Sequence, residues 1–204
     1  MTTTSRSAVT AARTPRWRTV DIVVTSVVGA MFGALYWAWQ YVPITQMFAF
    51  FPPFAALLNT VWLMAGPVGA LIVRKPGAAI YTEMVAALFE ALIGTHWGGT
   101  SVIVYGLVEG AGAELAFLLF AYRVWRLPVA VLSGALAGAA MAVLDVWIYR
   151  YYTGWSLGYQ LSYLAAAVVS GAIVAGALSW YLVRAMAATG VLAPFGSGRR
   201  QRLI

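Results

Sequence analysis

The chain has 204 residues, 62% of them apolar and only 9% charged, a balance far from that of water-soluble domains and one that marks an integral membrane protein. It contains no cysteine and a single histidine, His96, which excludes disulfides, thiolate metal centres, cysteine nucleophiles and any multi-histidine metal site. The net charge of +7 is compatible with nucleic acid only if the basic residues cluster on a soluble surface, and they do not: they fall at the ends of apolar spans.

Residues 1–16 are polar, rich in Thr, Ser and Arg and without hydrophobic periodicity, and read as a disordered tail. Six apolar spans follow, Val20–Trp39, Phe54–Val73, Gly77–Gly94, Val102–Tyr122, Leu127–Tyr149 and Leu161–Val183, each near the ~20 residues a helix needs to cross the hydrocarbon. The expected fold is therefore all-α, with six transmembrane helices in one membrane-embedded unit (17–195) and a short basic tail at 196–204. Pro52, Pro53 and Pro128 suit the first turns of their helices, where a missing N–H does no harm, and Gly66-Pro67 predicts a kink or an end near the far side of the second span.

Of the 13 Lys and Arg, all but Arg150 fall at one side of these spans, in the two tails and in the connections holding Arg74, Lys75, Arg123 and Arg126. By the positive-inside rule both termini are cytoplasmic, and the charge is a topology signal aided by anionic lipid. The first apolar span runs into TrpAlaTrpGlnTyr rather than a small-residue cleavage site, so it reads as a retained helix rather than a signal peptide. Every cytoplasmic connection is short, and no GxxxxGK[ST] loop is present.

Acids inside spans are the informative residues, because each ionised carboxylate at a helix centre costs roughly 2.5–3.5 kcal/mol on insertion scales. There are five, Glu83, Glu90, Glu109, Glu114 and Asp145; Asp21 lies in the first turn of the first helix, where negative charge suits the dipole. At about 1.5 Å per residue, Glu90, Asp145, Glu109 and Asn59 all lie within roughly 6–12 Å of the outer ends of four different spans. Glu83 and Glu114 fall nearer the cytoplasm and read as a separate, deeper pair.

No cation within the membrane matches the outer acids, so the cavity they imply attracts a proton or a cationic guest. Around them stand Tyr36, Trp37, Trp97, Tyr105 and Tyr163, with Trp39, Trp147, Tyr151, Tyr152, Trp155 and Tyr159 nearby. Aromatic faces bind organic cations and stack on flat rings, although Trp and Tyr also belong to any membrane interface. The combination predicts a flat, cationic or protonatable heterocycle as ligand. A stand-alone proton-coupled carrier or cation channel, with the five acids as a relay, is the alternative. An intramembrane enzyme is the weakest reading, because His96, expected in a surface loop, has no Ser or metal partner set around it.

Small residues recur at four-residue spacing in the first span (Ser26, Ala30, Ala34, Ala38, with Gly29 and Gly33 beside them), in GLVEGAGAE at 106–114 and in SGALAGA of the fifth span, patterns that let helices approach closely. RKPGAA at 74–79, the glutamates at 83 and 90 with AAL between them, GLVEGAGAE and TGVL at 189–192 resemble the YkoE-type substrate-binding (S) component of energy-coupling factor (ECF) vitamin transporters, over residues from about 17 to 195. The resemblance implies a bacterial plasma-membrane subunit that binds thiamine or its hydroxymethylpyrimidine precursor near the outer face. It implies association with a transmembrane coupling protein and two cytoplasmic ATPases, which use ATP and Mg, while the chain itself binds no cofactor. It also assigns Ala30, Ala34 and Ala38 to the coupling-protein interface and makes YVPITQMFAFFPP a lid. Glu90 then serves as a contact to thiamine's thiazolium or aminopyrimidine, or as the cavity's negative charge, and Glu83 as a deeper helix-to-helix polar tie.

Overall fold

The structure, a computed structural model, describes residues 16–199; all but the last residue of the expected tail at 1–16 and the end of the basic tail, 200–204, lie outside them. Among the described residues all regular structure is helical and no strand occurs. Six long helical stretches carry the fold: α1 (Thr19–Trp39), α2 (Pro52–Val73), α3 (Ala78–Ile93), α4 (Gly99–Leu119), α5 (Leu127–Ile148) and α6 (Leu157–Ala188). All except α3 are long and apolar enough to cross a membrane, whereas α3 has 16 residues. At 32 residues α6 outruns the span expected for it at both ends.

Helix α3 is wedged between α1 and α4, α5 lies between α4 and α6, and α2 threads the middle. Burial follows this order: 72% of the apolar window of α2 is buried against 33% for α1. Glycines set the closest crossings. A Cβ at Gly33 of α1 would lie 2.6 Å from the carbonyl oxygen of Ala86 on α3, and one at Gly134 of α5 would lie 2.1 Å from that of Gly171 on α6, so these backbones touch only because no side chain intervenes. The expected small-residue seams in GLVEGAGAE and SGALAGA are internal packing of this kind. On α1 the two stripes divide, Gly29 and Gly33 facing α3 while Ala34 and Ala38 are exposed and Ala30 partly so.

The kink expected near the far side of α2 lies instead in its middle. Residues 52–63 wind largely as a tight 3-10 spiral, the chain bends at Met64, and a regular helix restarts at Ala65 with Pro67 in its first turn. A helix start leaves N–H groups without intrahelical acceptors. Here Ala65 N–H donates to the Tyr36 hydroxyl (2.8 Å) and Gly66 N–H to Glu83 Oε2 (2.6 Å), so α1 and α3 satisfy the break from either side.

Loops at 40–51, 94–98 and 149–156 gather at one end of the bundle, which we call the mouth; Arg16, Arg18, Arg74, Lys75, Arg123, Arg126 and Arg184 fall at the opposite, basic end. There Asp21 is fully buried, bonded to Arg18 (2.9 Å) and in contact with Lys75, while the Trp17 indole donates to the Pro76 carbonyl and Arg18 to that of Pro194. The RKPGAA segment is thus the α2–α3 turn, latched onto the start of α1. Glu114 of α4 closes it by accepting from the Gly77 and Ala79 N–H groups at 2.7 and 2.8 Å, capping α3. Glu83 and Glu114 therefore do not form the expected pair: each is bound to a different helix start.

Candidate functional site

A cavity of about 640 Å³, its mouth included, opens between α2, α3, α4 and α5. Helical periodicity decides which side chains reach it. Helix α3 presents Glu83, Ala87 and Glu90; α4 presents Val102, Tyr105, Gly106 and Glu109; α5 adds Met141 and Asp145; α2 adds Asn59 and Trp62. Tyr36 of α1 enters from one flank, and Trp97, Tyr151 and Tyr152 from the mouth loops. A second space, walled by residues 40–46 and His96, shares Asn59, Trp62, Trp97 and Tyr152 with the first and so lies over its entrance.

Of the nine residues expected at the site, Glu90, Asn59, Asp145, Glu109, Trp97, Tyr36 and Tyr105 line this cavity. Tyr163 does not line it; fully buried, it stands behind the wall, its hydroxyl donating to Asp145 and accepting from Asn59 Nδ2 at 2.9 Å. Trp37 points elsewhere, because one helical residue turns about 100° and its neighbour Tyr36 faces inward; its ring packs edge-on against Tyr41.

The four acids are not equivalent. Both Asp145 oxygens accept tyrosine hydroxyls, one from Tyr105 and one from Tyr163, so Asp145 orders the aromatic wall. Glu83 accepts from Gly66 N–H and, at 3.0 Å, from the Tyr36 hydroxyl. Glu90, toward the mouth, accepts from Thr95 Oγ1 at 3.3 Å with the Trp62 indole beside it. Glu109 is buried and makes no hydrogen bond among the described residues. Stacked rings of Tyr105, Tyr149 and Tyr151, 5.4 and 5.5 Å apart, run from the wall toward Trp97 at the rim. In the loop above, burial and then Asp145 push the Tyr152 hydroxyl above its ordinary range, so it stays neutral.

Trp62, Met141 and Gly106 were missed by sequence reasoning, although helical spacing points to each: Trp62 is three residues beyond Asn59, Met141 four before Asp145, and Gly106 three before Glu109. Glu83, expected with Glu114 nearer the cytoplasm, lines the cavity because it lies two turns from Glu90 on one face of α3.

An all-helical membrane bundle with an acid-lined, aromatic-walled cavity between its helices has the architecture of a membrane protein that can admit a small solute. Residues 20–140 match the family described as the permease component of an ABC-type cobalt transport system. The chain is 33% identical over 183 residues to a Bacillus subtilis (strain 168) protein named as an HMP/thiamine permease, YkoE, covering 90% of this chain and 91% of the relative. Its fold is similar to a crystal structure of an S-component of an ECF transporter, with a TM-score of 0.85 and 33% identity over 92% of this chain and 94% of the other. The chain belongs to the YkoE-type family of ECF-transporter S-components, and is a transport subunit rather than an enzyme. With its membrane-length helices it is a multi-pass protein of the plasma membrane.

Proposed function

We propose that this chain captures thiamine or its hydroxymethylpyrimidine precursor from outside the cell for an ATP-driven importer. In this reading α3 is a sixth span, since 16 helical residues reach about 24 Å and local thinning covers the remainder. Both termini are cytoplasmic, in keeping with the basic end, and the mouth faces outward. The observation that carries the reading is Glu109: a buried carboxyl without a partner, in a cavity lined by three further acids and by aromatic rings and, among the described residues, by no Lys or Arg. A cationic ring with hydrogen-bond donors matches that lining, and the name of the Bacillus subtilis relative supports the same cargo.

The cobalt in the family's description suits this cavity less well. Among the described residues no three His, Cys, Asp or Glu side chains are placed to hold a metal ion, and rings wall the space. Glu90 and Glu109 are the cargo's acids, Asp145, Asn59 and Tyr163 hold the wall, and Tyr36, Tyr105 and Trp97 supply ring faces. The partners are a transmembrane coupling protein, met by the exposed stripe of Ala34 and Ala38 with Ala30, and two cytoplasmic ATPases that use ATP and Mg; this chain binds no cofactor of its own. Calorimetric titration of the purified protein with thiamine and with hydroxymethylpyrimidine tests the reading, which fails if neither binds at micromolar concentration. Proteoliposomes separate it from a proton-coupled carrier: transport by this chain alone under a pH gradient would favour the carrier, and transport only with ATPase partners the importer.

A further inference from the structure

Glu83, Glu90, Glu109 and Asp145 line one cavity, each of them itself buried, and four carboxylates so placed repel one another. Three have donors that favour the ionised form: Glu83 the Gly66 N–H and the Tyr36 hydroxyl, Asp145 the hydroxyls of Tyr105 and Tyr163, and Glu90 the Thr95 hydroxyl. Glu109 has none among the described residues and shares the cavity with the other three.

The elements packed round it offer no relief. Helix α3 brings Glu83 and Glu90, α5 brings Asp145, α1 brings Tyr36, α6 brings Tyr163 behind the wall, and α4 itself brings Tyr105; α2 contributes only the neutral Asn59 and Trp62. An unpartnered carboxyl in such a place is least costly as the neutral acid.

We propose that Glu109 is an exchangeable proton site, holding a proton while the cavity is empty and releasing it to water when a cationic cargo enters. This rests on the function proposed above. The exchange balances as a carboxylic acid plus a cation giving a carboxylate–cation pair plus one hydrated proton, with no bond to carbon altered and no electron moved. Cation binding therefore strengthens with rising pH, about tenfold per unit, for as long as Glu109 is protonated in the empty protein. A neutral pyrimidine brings no positive charge and leaves the proton in place, so the two cargoes differ in their pH dependence.

The test is calorimetry of the full chain at one near-neutral pH in two buffers of different ionisation enthalpy, phosphate and Tris, titrated with thiamine and separately with hydroxymethylpyrimidine. The expected result is a buffer-dependent heat equal to one proton released per thiamine, none per hydroxymethylpyrimidine, and none for thiamine with Glu109→Gln. Equal thiamine heats in both buffers overturn the proposal, as does a proton still released by Glu109→Gln or one released equally by both cargoes. Should that variant not fold, the comparison of the two cargoes on the unaltered protein decides, together with the pH dependence of thiamine affinity. Absence of binding by both cargoes removes the proposed function instead, and this site with it.

Discussion

Tyr36 of α1 donates a 3.0 Å hydrogen bond to Glu83 of α3 while its oxygen accepts from the Ala65 N–H where α2 restarts, so one hydroxyl joins three helices at mid-bundle. Replacing it, Tyr36→Phe, leaves a buried N–H and a buried carboxyl each short of a partner. The expected loss is about 1–3 kcal/mol of stability, with a lower midpoint in thermal unfolding of the detergent-solubilised protein. An unchanged midpoint would show that water replaces the hydroxyl and that the three-helix junction is not a stabilising element.

Glu114 is remote from the cavity lining and caps α3 through the Gly77 and Ala79 N–H groups. Glu114→Ala is expected to destabilise by about 0.5–2 kcal/mol while leaving cargo affinity as it was. Paired unfolding and titration measurements check this, and a variant of native stability with impaired binding would contradict it.

For Glu90 the expectation reverses. Glu90→Gln should weaken a cationic cargo by about 1.5–3 kcal/mol if the two touch, with a smaller effect on a neutral pyrimidine. Titration of both cargoes against the variant reads the difference directly.

Asp145→Asn keeps an acceptor for one tyrosine and turns a donor toward the other. Melting temperature and affinity should fall together, because the ring wall loses its alignment; a fall in affinity alone would make Asp145 a direct cargo contact.

The two stripes of α1 offer a matched pair of substitutions. Ala34 is exposed, so Ala34→Trp should leave cargo binding intact and disrupt co-purification with the coupling protein. Gly33 sits 2.6 Å, by its absent Cβ, from the Ala86 carbonyl oxygen, and Gly33→Leu should destabilise the chain by roughly 1–3 kcal/mol. Loss of binding by Ala34→Trp would show that this exposed face supports the cavity rather than only the coupling protein.

Much of the site was legible because membrane helices are regular. Glu83 and Glu90, or Tyr105 and Glu109, share a face by spacing alone, and acids inside apolar spans announce themselves. Depth in the bundle is not legible in the same way. Position along the spans pairs Glu83 with Glu114, whereas the bend at Met64 in α2 turns two free N–H groups toward Glu83 and Tyr36. Trp37 and its neighbour Tyr36 point about 100° apart, so only one of the two faces the cavity.

The sequence by itself determined that the chain is helical and membrane-embedded, which ends are basic, and which helices bring acids, because hydropathy, charge asymmetry and helical period are local properties. Only the tertiary structure decided which carboxyls are spoken for: Glu114 by the start of α3, Glu83 by the restart of α2, Asp145 by two tyrosines, and Glu109 by nothing among the described residues. Hydrogen-bond partners come from other helices, and which donor faces which acid depends on crossings and bends that no single span encodes.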